Sequence, residues 1–521
     1  MICSLPDALR ETALRFPDHE AVRWQGDSLT WAELWRQACH LASILRCKGV
    51  QRGDRVAIYM SKSVQSVLAI YAIMKAGAAY IPLDPSAPID RLRSIVEDSR
   101  VRCLLTNRKK LEDALRLQCG EPCVPWDQID GARGNIDQEI AAGPDDVSYI
   151  LYTSGTTGTP KGIVHTHSSS LAFSAWAATE YGLTSADRVS SHAPFHFDLS
   201  TFDLFSAALA GATTVLVPEV LTTFPAAMVR FIKEERISVW YSVPYALIQM
   251  FERGNLAGAG LDSLRWVLFA GEPFPPKHLR RLMSVLSARF SNLYGPTETN
   301  VCTWHHVDHP PDEASPIPIG RPCPGTDSLV LEDELFISGP TVMRGYWGRP
   351  DLDDRSFVRR SGRRYYRTGD LVKLDQDGNY HYLGRKDRQI KARGHRIELD
   401  EVEAALLSHP DVSEAAVYAT PDGLGSHRIE AVVNARHEAG VTPAALLQHV
   451  LSLLPTYAAP SAILFLDEFP RTSTGKVDRR IIESRAAALM PSRQNCPPMR
   501  ALLVAAGKRG PSSDSPRMMP R

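Results

Sequence analysis

Between positions 152 and 162 the chain reads YTSGTTGTPKG, with glycines at 155, 158 and 162, hydroxyls at Thr153, Ser154, Thr156 and Thr157, and one lysine, Lys161. Glycine lets a backbone come close to a ligand. Backbone N–H groups, hydroxyls and an ammonium together suit a multiply charged oxyanion, above all a phosphate. The stretch follows VSYIL, which reads as a strand, and precedes SSSLAFSAWAATEYG, which reads as a helix. Strand, glycine-rich loop and helix is a phosphate-cradling context, in which the helix N-terminus adds partial positive charge. It is not a Walker loop, because Lys161 follows Pro160 rather than glycine and Gly162 stands where Ser or Thr is required. The plain alternative is a flexible surface loop. A second eye-catching stretch, CTWHHVDH at 302 to 309, has a metal-like composition, but no second ligand pair accompanies it and it is read as structural.

The elements that must hold such a loop are legible around it. Leu9, Thr12, Ala13 and Phe16 fall on one helical face, RVAIYM (55 to 60) is a buried-strand run, and Val64, Val67, Leu68 and Tyr71 return to helical spacing. The alternation continues through YIPL, CLL, ATTVLV, ISVWYSV and RWVLFAG, which argues for an α/β fold of parallel sheets covered by helices. After about residue 325 the texture changes. DSLVLEDELFISG and VKLDQDGNYHYL read as antiparallel hairpins, the second turning at Asp377-Gly378. A small α+β unit of about a hundred residues follows the charged segment 384 to 394. The expected division is a core at 1–386, a lid at 387–490 and a disordered tail, rich in Pro, Ser and Arg, at 491–521.

Bulk properties exclude several classes. In 521 residues, 59 Lys+Arg balance 59 Asp+Glu, so no global basic field recruits nucleic acid or membrane. The nine cysteines are scattered without paired spacing, which points to a reducing, cytoplasmic setting. The opening MICSLPDALRETALRF lacks a signal-peptide core, and the most apolar stretch, 64 to 83, is interrupted by Lys75 and Gly77.

The loop resembles the phosphate loop of the adenylate-forming superfamily of acyl-CoA synthetases, luciferases and adenylation domains of nonribosomal peptide synthesis. LTWAEL (29 to 34), KAGAAYIPLDP (75 to 85), FDLS (197 to 200), YGPTE (294 to 298), YRTGDL (366 to 371), GRKDRQIKARGHRIEL (384 to 399) and PRTSTGKVDR (470 to 479) continue the likeness in order. The resemblance implies a large N-terminal domain with a small mobile C-terminal lid. It also implies activation of a carboxylate by ATP with Mg²⁺, followed by transfer of the acyl group to a thiol. It assigns Thr153, Ser154, Gly155, Thr156, Thr157, Gly158 and Lys161 to the leaving phosphates and Glu298 to Mg²⁺. It assigns Thr297 to the α-phosphate, Tyr294 to adenine, Asp370 with Arg385 to the ribose, and Lys476 to the substrate carboxylate and α-phosphate. Asp387 corresponds to the hinge about which the lid turns, presenting Lys476 in one step and KARGH (391 to 395) in the other. Ala392 departs slightly from the aliphatic residue usual there.

Asp198 in FDLS matches the carboxylate that pairs with a substrate α-ammonium, which favours an amino acid. The remaining pocket positions implied are Leu199, Phe202, Tyr241, Leu268, Ala270, Leu293, Val301 and Cys302, with Lys476. Apart from Asp198 and Lys476 they carry no charge, so an ionic substrate side chain would be buried unpaired. The string is similar to that of prolyl-activating enzymes that load L-proline onto a separate carrier protein, where it is oxidised to a pyrrole. No LGG-x-S-type phosphopantetheine site or condensation domain is present in the sequence, so the thiol is expected on the phosphopantetheine arm of a stand-alone peptidyl carrier protein. His192 and His196 could line the thiol entrance or be structural. Two other readings stay open: an acyl- or aryl-CoA ligase, against which Asp198 speaks, and a catalytically silent binding homologue, against which Glu298, Asp370 and Lys476 speak.

Overall fold

The structure, a computed structural model, describes residues 2–117, 123–126, 141–155, 159–435, 441–471 and 477–489. Two large sheets dominate it. In a nine-stranded sheet, Thr213–Leu216, Arg188–Ser191, Val239–Ser242, Trp266–Ala270 and Arg289–Tyr294 run parallel, and Thr303–Val307 pairs antiparallel with the last of them. In a seven-stranded sheet, Ala79–Pro82, Arg55–Tyr59 and Cys103–Thr106 are parallel, Val147–Thr153 joins them through Tyr80 and Tyr149, and Lys161–Thr166 returns antiparallel.

Helices Trp31–Cys47 and Val64–Lys75 share one apolar cluster with Val22 and Leu216 of the first sheet and Val56, Ile58 and Leu151 of the second. The later helix is buried without a break from Ser66 to Met74, as an all-round apolar helix between layers must be. Each of its fully buried Ile side chains is worth about 1.5–3 kcal/mol. Both helices begin with side-chain caps, Thr30 accepting from the Glu33 N–H and Ser63 from the Ser66 N–H. Among the described residues no helix is long and apolar enough to cross a membrane.

A five-stranded antiparallel sheet holds the two hairpins expected after residue 325, Asp327–Leu331 with Glu334–Ser338 and Arg363–Leu374 with Tyr380–Arg385. Beyond Asp387 come the hairpin Gln389–Ala392/His395–Glu398 and a three-stranded sheet of Val412–Pro421, His427–Ala435 and Ala462–Phe465. Helices Leu399–Leu407 and Pro443–Leu453 bury Val402, Leu406, Leu446 and Val450 against that sheet in a core of their own. The tail at 491–521 lies outside the described residues.

Two features differ from the sequence reading. The glycine-rich loop is followed by the strand Lys161–Thr166, and helix His167–Glu180 begins only after it. The loop therefore joins two antiparallel strands, Tyr152 opposite Gly162 and Thr153 opposite Lys161, and the helix N-terminus does not serve it. The short run KGIVHT was masked by its glycine, yet that glycine is what permits the pairing. A Cβ at Gly162 would stand 2.9 Å from both Ile150 and Tyr152 side-chain atoms. The second difference is helix Arg479–Leu489, which follows the last lid motif.

Gly211 ends the short helix Ala207–Ala210 with φ 74°, and a Cβ there would meet the Phe16 ring at 2.4 Å. Gly211→Ala combines left-handed strain with this clash, and we expect it to destabilise the core by about 1–3 kcal/mol. Denaturant unfolding followed by tryptophan fluorescence checks this; an unchanged midpoint would contradict it.

Candidate active site

The C-terminal ends of both large sheets and the lid hairpin converge on a cavity of about 120 Å³. Asp198 contributes to its wall, just before the short helix Leu199–Thr201, which runs into a π-helical turn, Phe202–Ser206. Such turns are rare and recur at functional sites. Burial pushes the Asp198 carboxyl above its ordinary range, opposed by the Thr297 hydroxyl, which donates to its Oδ2 at 2.7 Å. The Thr297 carbonyl in turn accepts from His165 Nε2 at 2.8 Å, and burial holds that imidazole down to about 4.

Five of the expected substrate residues, Asp198, Leu199, Tyr241, Ala270 and Val301, line the cavity. Phe202, Leu268 and Leu293 pack behind them in the same apolar cluster. Cys302 faces away into a separate cluster with Tyr294, Ile319 and Leu335. Phe202 and Tyr241 meet edge to face at 5.3 Å between ring centroids, which fixes the back wall.

Glu298 has none of its surface exposed. Its Oε2 accepts from Arg396 at 2.6 Å and its Oε1 from the Tyr346 hydroxyl at 2.8 Å, with Lys161 Nζ 3.4 Å away. Burial alone would raise this carboxyl, but the charges of Arg396 and Lys161 outweigh it and hold Glu298 well below the usual carboxylate range. Lys161 is itself lowered, by burial and then by Arg396. At the loop, Thr153 Oγ1 is buried with no partner among the described residues, and the Ser154 hydroxyl donates to the carbonyl of Arg396 at 3.1 Å. Gly155 is required by space, since a Cβ would lie 2.2 Å from the Thr159 carbonyl oxygen. Thr156, Thr157 and Gly158 lie outside the described residues, as does Lys476.

Asp370 and Arg385 face one another across the strand pair at 2.6 Å, and the Tyr294 hydroxyl donates to the other Asp370 oxygen. Arg385 also grips Asp387 with two bonds, at 2.6 and 2.7 Å. Burial would lower the Arg385 guanidinium, but Asp387 and Asp370 together raise it. The same guanidinium holds Asp387 low despite that residue's burial.

The lid supplies Lys391, the first residue of the KARGH segment expected to be presented in the second step, and Arg396, which motif reading left without a role. Lys391 and Arg396 are directly opposite in the hairpin, so both side chains share one face, and both line the cavity. Burial lowers Lys391, with Arg385 and Arg396 adding like charge against the attraction of Asp370 and Asp198. The available signal was the alternation Gln389, Lys391 along a charged strand whose Arg396 returns on the same side. The lid is held to the core by Arg91–Glu401 at 2.7 Å, which is part-buried, and by the Ser426 hydroxyl donating to Glu272 at 2.8 Å, which is buried. Gly394 comes so near the core that a Cβ would lie 2.6 Å from Val243.

Among the described residues no group of three or more His, Cys, Asp and Glu could cage an ion. A single ionised, buried carboxylate beside an oxyanion loop does suit Mg²⁺ brought in with phosphate oxygens. In the stretch 302 to 309, His306 is engaged with Ser291 and Glu180.

The chain has relatives among known proteins. The model of the AMP-binding enzyme family matches residues 9–347, and that of the AMP-binding enzyme C-terminal domain matches 401–476. An L-proline--[L-prolyl-carrier protein] ligase of Pseudomonas fluorescens is 38% identical over 498 residues, covering 91% of this chain and 98% of its own. One of the same name from Streptomyces coelicolor is 38% identical over 490 residues, covering 87% and 91%. In fold, the adenylation domain AlmE of Vibrio cholerae, solved with glycyl-adenosine-5'-phosphate, aligns with a TM-score of 0.82 at 24% identity over 94% of this chain and 98% of its own. On these matches, the chain belongs to the AMP-binding enzyme family of adenylate-forming ligases.

Proposed function

We propose that the protein activates L-proline with ATP to prolyl-AMP, releasing pyrophosphate, and passes the prolyl group to the phosphopantetheine thiol of a separate peptidyl carrier protein. The observation that carries this reading is the Asp198 carboxylate in a small cavity whose other substrate-side walls, Leu199, Tyr241, Ala270 and Val301, bear no charge. Proline's secondary ammonium offers two N–H donors to that carboxylate, and its ring needs only an apolar niche. Both relatives named for prolyl transfer support the choice.

In the first step a proline carboxylate oxygen attacks the α-phosphorus, and the bond to pyrophosphate breaks. Arrival of the ammonium at Asp198 frees the Thr297 hydroxyl for the α-phosphate. Thr153, Ser154, Gly155, Lys161 and, by motif, Thr156, Thr157 and Gly158 receive the leaving phosphates, the buried Thr153 hydroxyl being free to donate. Tyr294 and Asp370, with Arg385, suit the adenosine. Glu298 would hold Mg²⁺, which neutralises phosphate charge when bound. That requires Arg396 to leave Glu298, so the present contact fits the later step. There the thiolate attacks the acyl carbon, a C–S bond forms and AMP departs, with Lys391 and Arg396 lining the cavity. Asp387 serves as the hinge between the two arrangements, and the division near 386 follows from it. A second cavity of about 510 Å³, walled by His192, His196 and Tyr245 from the core and His395 from the lid, suits the approach of an extended thiol.

ATP–pyrophosphate exchange should be greatest with L-proline among common amino acids. Asp198→Asn should lower kcat/KM for proline about tenfold to a hundredfold, the worth of one charge-assisted pair. Cyclopentanecarboxylate should not be activated. Because burial raises Asp198, the KM for proline should begin to climb, as pH falls, above the ordinary carboxylate range. Another amino acid preferred tenfold would overturn the substrate assignment.

Lys476→Ala should slow exchange about 10²–10³-fold, as loss of one transition-state donor does, while transfer from supplied prolyl-AMP suffers less. Arg396→Ala should show the opposite bias. Equal losses in both half-reactions for both variants would remove the division of labour. Asp387→Pro should slow thiol transfer more than exchange, because a fixed φ hinders rotation. Asp387→Ala, which also loses the Arg385 bonds, separates that effect from rigidity: transfer as slow in Ala as in Pro would argue against a hinge.

A further inference from the structure

The second cavity meets the first at His196, Phe197, Leu199, Gly394 and Tyr457, which line both. Arg393 stands on its wall at the tip of the lid hairpin. Arg393 and Gly394 take φ of 53° and 83°, the two left-handed positions of a tight hairpin turn. That turn favours Asn-Gly, and a bulky residue with positive φ is uncommon enough to suggest a use for the side chain. The Arg393 N–H is fixed by the Ser426 hydroxyl at 2.6 Å. The side chain is exposed, with its guanidinium 5.8 Å from the centre of the Tyr245 ring, which lines the same cavity. Among the described residues no carboxylate pairs with it. The cavity's own carboxylates, Asp84 and Glu219, act instead on His196 where the two cavities meet. The cavity thus joins an unpaired guanidinium at the hairpin tip to the site that holds Asp198.

We propose that Arg393 is a phosphate clasp, binding the phosphate ester of a phosphopantetheine arm while the thiol at the other end reaches the acyl adenylate. The assignment rests on the reading above that the acceptor thiol is arm-borne. A phosphopantetheine arm carries one anionic group, at the end remote from its sulfur, so a thiol channel needs an available cation outside the acyl site: Arg393 lines the second cavity and not the first, and the other Lys or Arg on that wall, Lys110, is engaged by the Pro85 carbonyl and Asp113. The planar guanidinium matches phosphate oxygens with paired N–H donors, which an ammonium does not. Because the clasp sits on the lid hairpin beside Gly394, it reaches the channel in the arrangement that presents Lys391 and Arg396. The arm is therefore held only when the lid has turned for transfer.

The test compares pantetheine with 4'-phosphopantetheine as prolyl acceptors for the full chain supplied with ATP and L-proline. The wild type should favour the phosphorylated thiol about tenfold in kcat/KM, the worth of one charge-assisted contact. Arg393→Asn, which tolerates the left-handed backbone, should bring that ratio near one, and Arg393→Lys should keep part of it. No preference in the wild type, or a preference that survives in Arg393→Asn, would overturn the clasp. Coenzyme A carries the same ester on a nucleotide. If it outperforms phosphopantetheine in an Arg393-dependent way, the residue serves free coenzyme A and the carrier-arm assignment falls. Proline-dependent exchange run in parallel keeps the two levels apart: its absence in the wild type would overturn the function proposed above, whereas its presence with a flat thiol ratio would overturn the clasp alone.

Discussion

An ionised carboxylate with no exposed surface is costly unless cations surround it, and Glu298 is such a group. Arg396 comes from the lid, Lys161 from the strand after the glycine-rich loop, and the Tyr346 hydroxyl from the short strand that edges the seven-stranded sheet. Three parts of the chain far apart in sequence are tied at one point. Removing one partner would leave charge uncompensated in a dry setting, so the lid cannot leave Glu298 unless another cation takes its place. That constraint makes the position of the lid depend on what occupies the phosphate site.

The same economy runs through the neighbouring groups. Asp370 shares Arg385 with Asp387, so the proposed ribose contact and the proposed hinge are one network. Asp198 borrows the Thr297 hydroxyl, adjacent in sequence to Glu298. Asp198, Asp370, Arg385 and Arg396 thus each have a partner that an incoming ligand can replace. Electrostatic stabilisation of phosphoryl transfer needs such preset donors more than it needs a strong base.

Rigidity around these exchanges comes from the apolar layers. The back wall of Phe202, Tyr241, Leu268 and Leu293 belongs to a cluster continuous with Phe173, Tyr181 and Trp266, all buried. The lid has its own core of Val402, Leu406, Leu446 and Val450, which the proposed movement as a body requires. Its contacts to the rest of the chain mix polar pairs, Arg91–Glu401 and Ser426–Glu272, with apolar ones, Gly394 against Val243 and Leu424 against the cluster that holds Trp240 and Ile248.

The sequence by itself determined the alternation of strands and helices, the two hairpins after 325, the α+β unit beyond the charged segment and some of the groups that line the cavity, Asp198, Thr297, Asp370 and Arg385 among them. These are local: periodicity, turn residues and motif chemistry are carried by neighbours in the chain. It did not disclose that Lys161–Thr166 is a strand, because a short run with glycine at its second position carries little periodic signal and pairs only through the space that Gly162 leaves for Tyr152. Nor could it tell that Cys302 turns away from the cavity while Val301 faces it, since the chain there takes its direction from the left-handed Asn300 and the pairing of the next strand. The meeting of Arg396 with Glu298, 98 residues apart, was beyond it altogether. Which cation neutralises a buried charge is decided by how two separately folded bodies are docked, and that information lies in no local stretch of the chain.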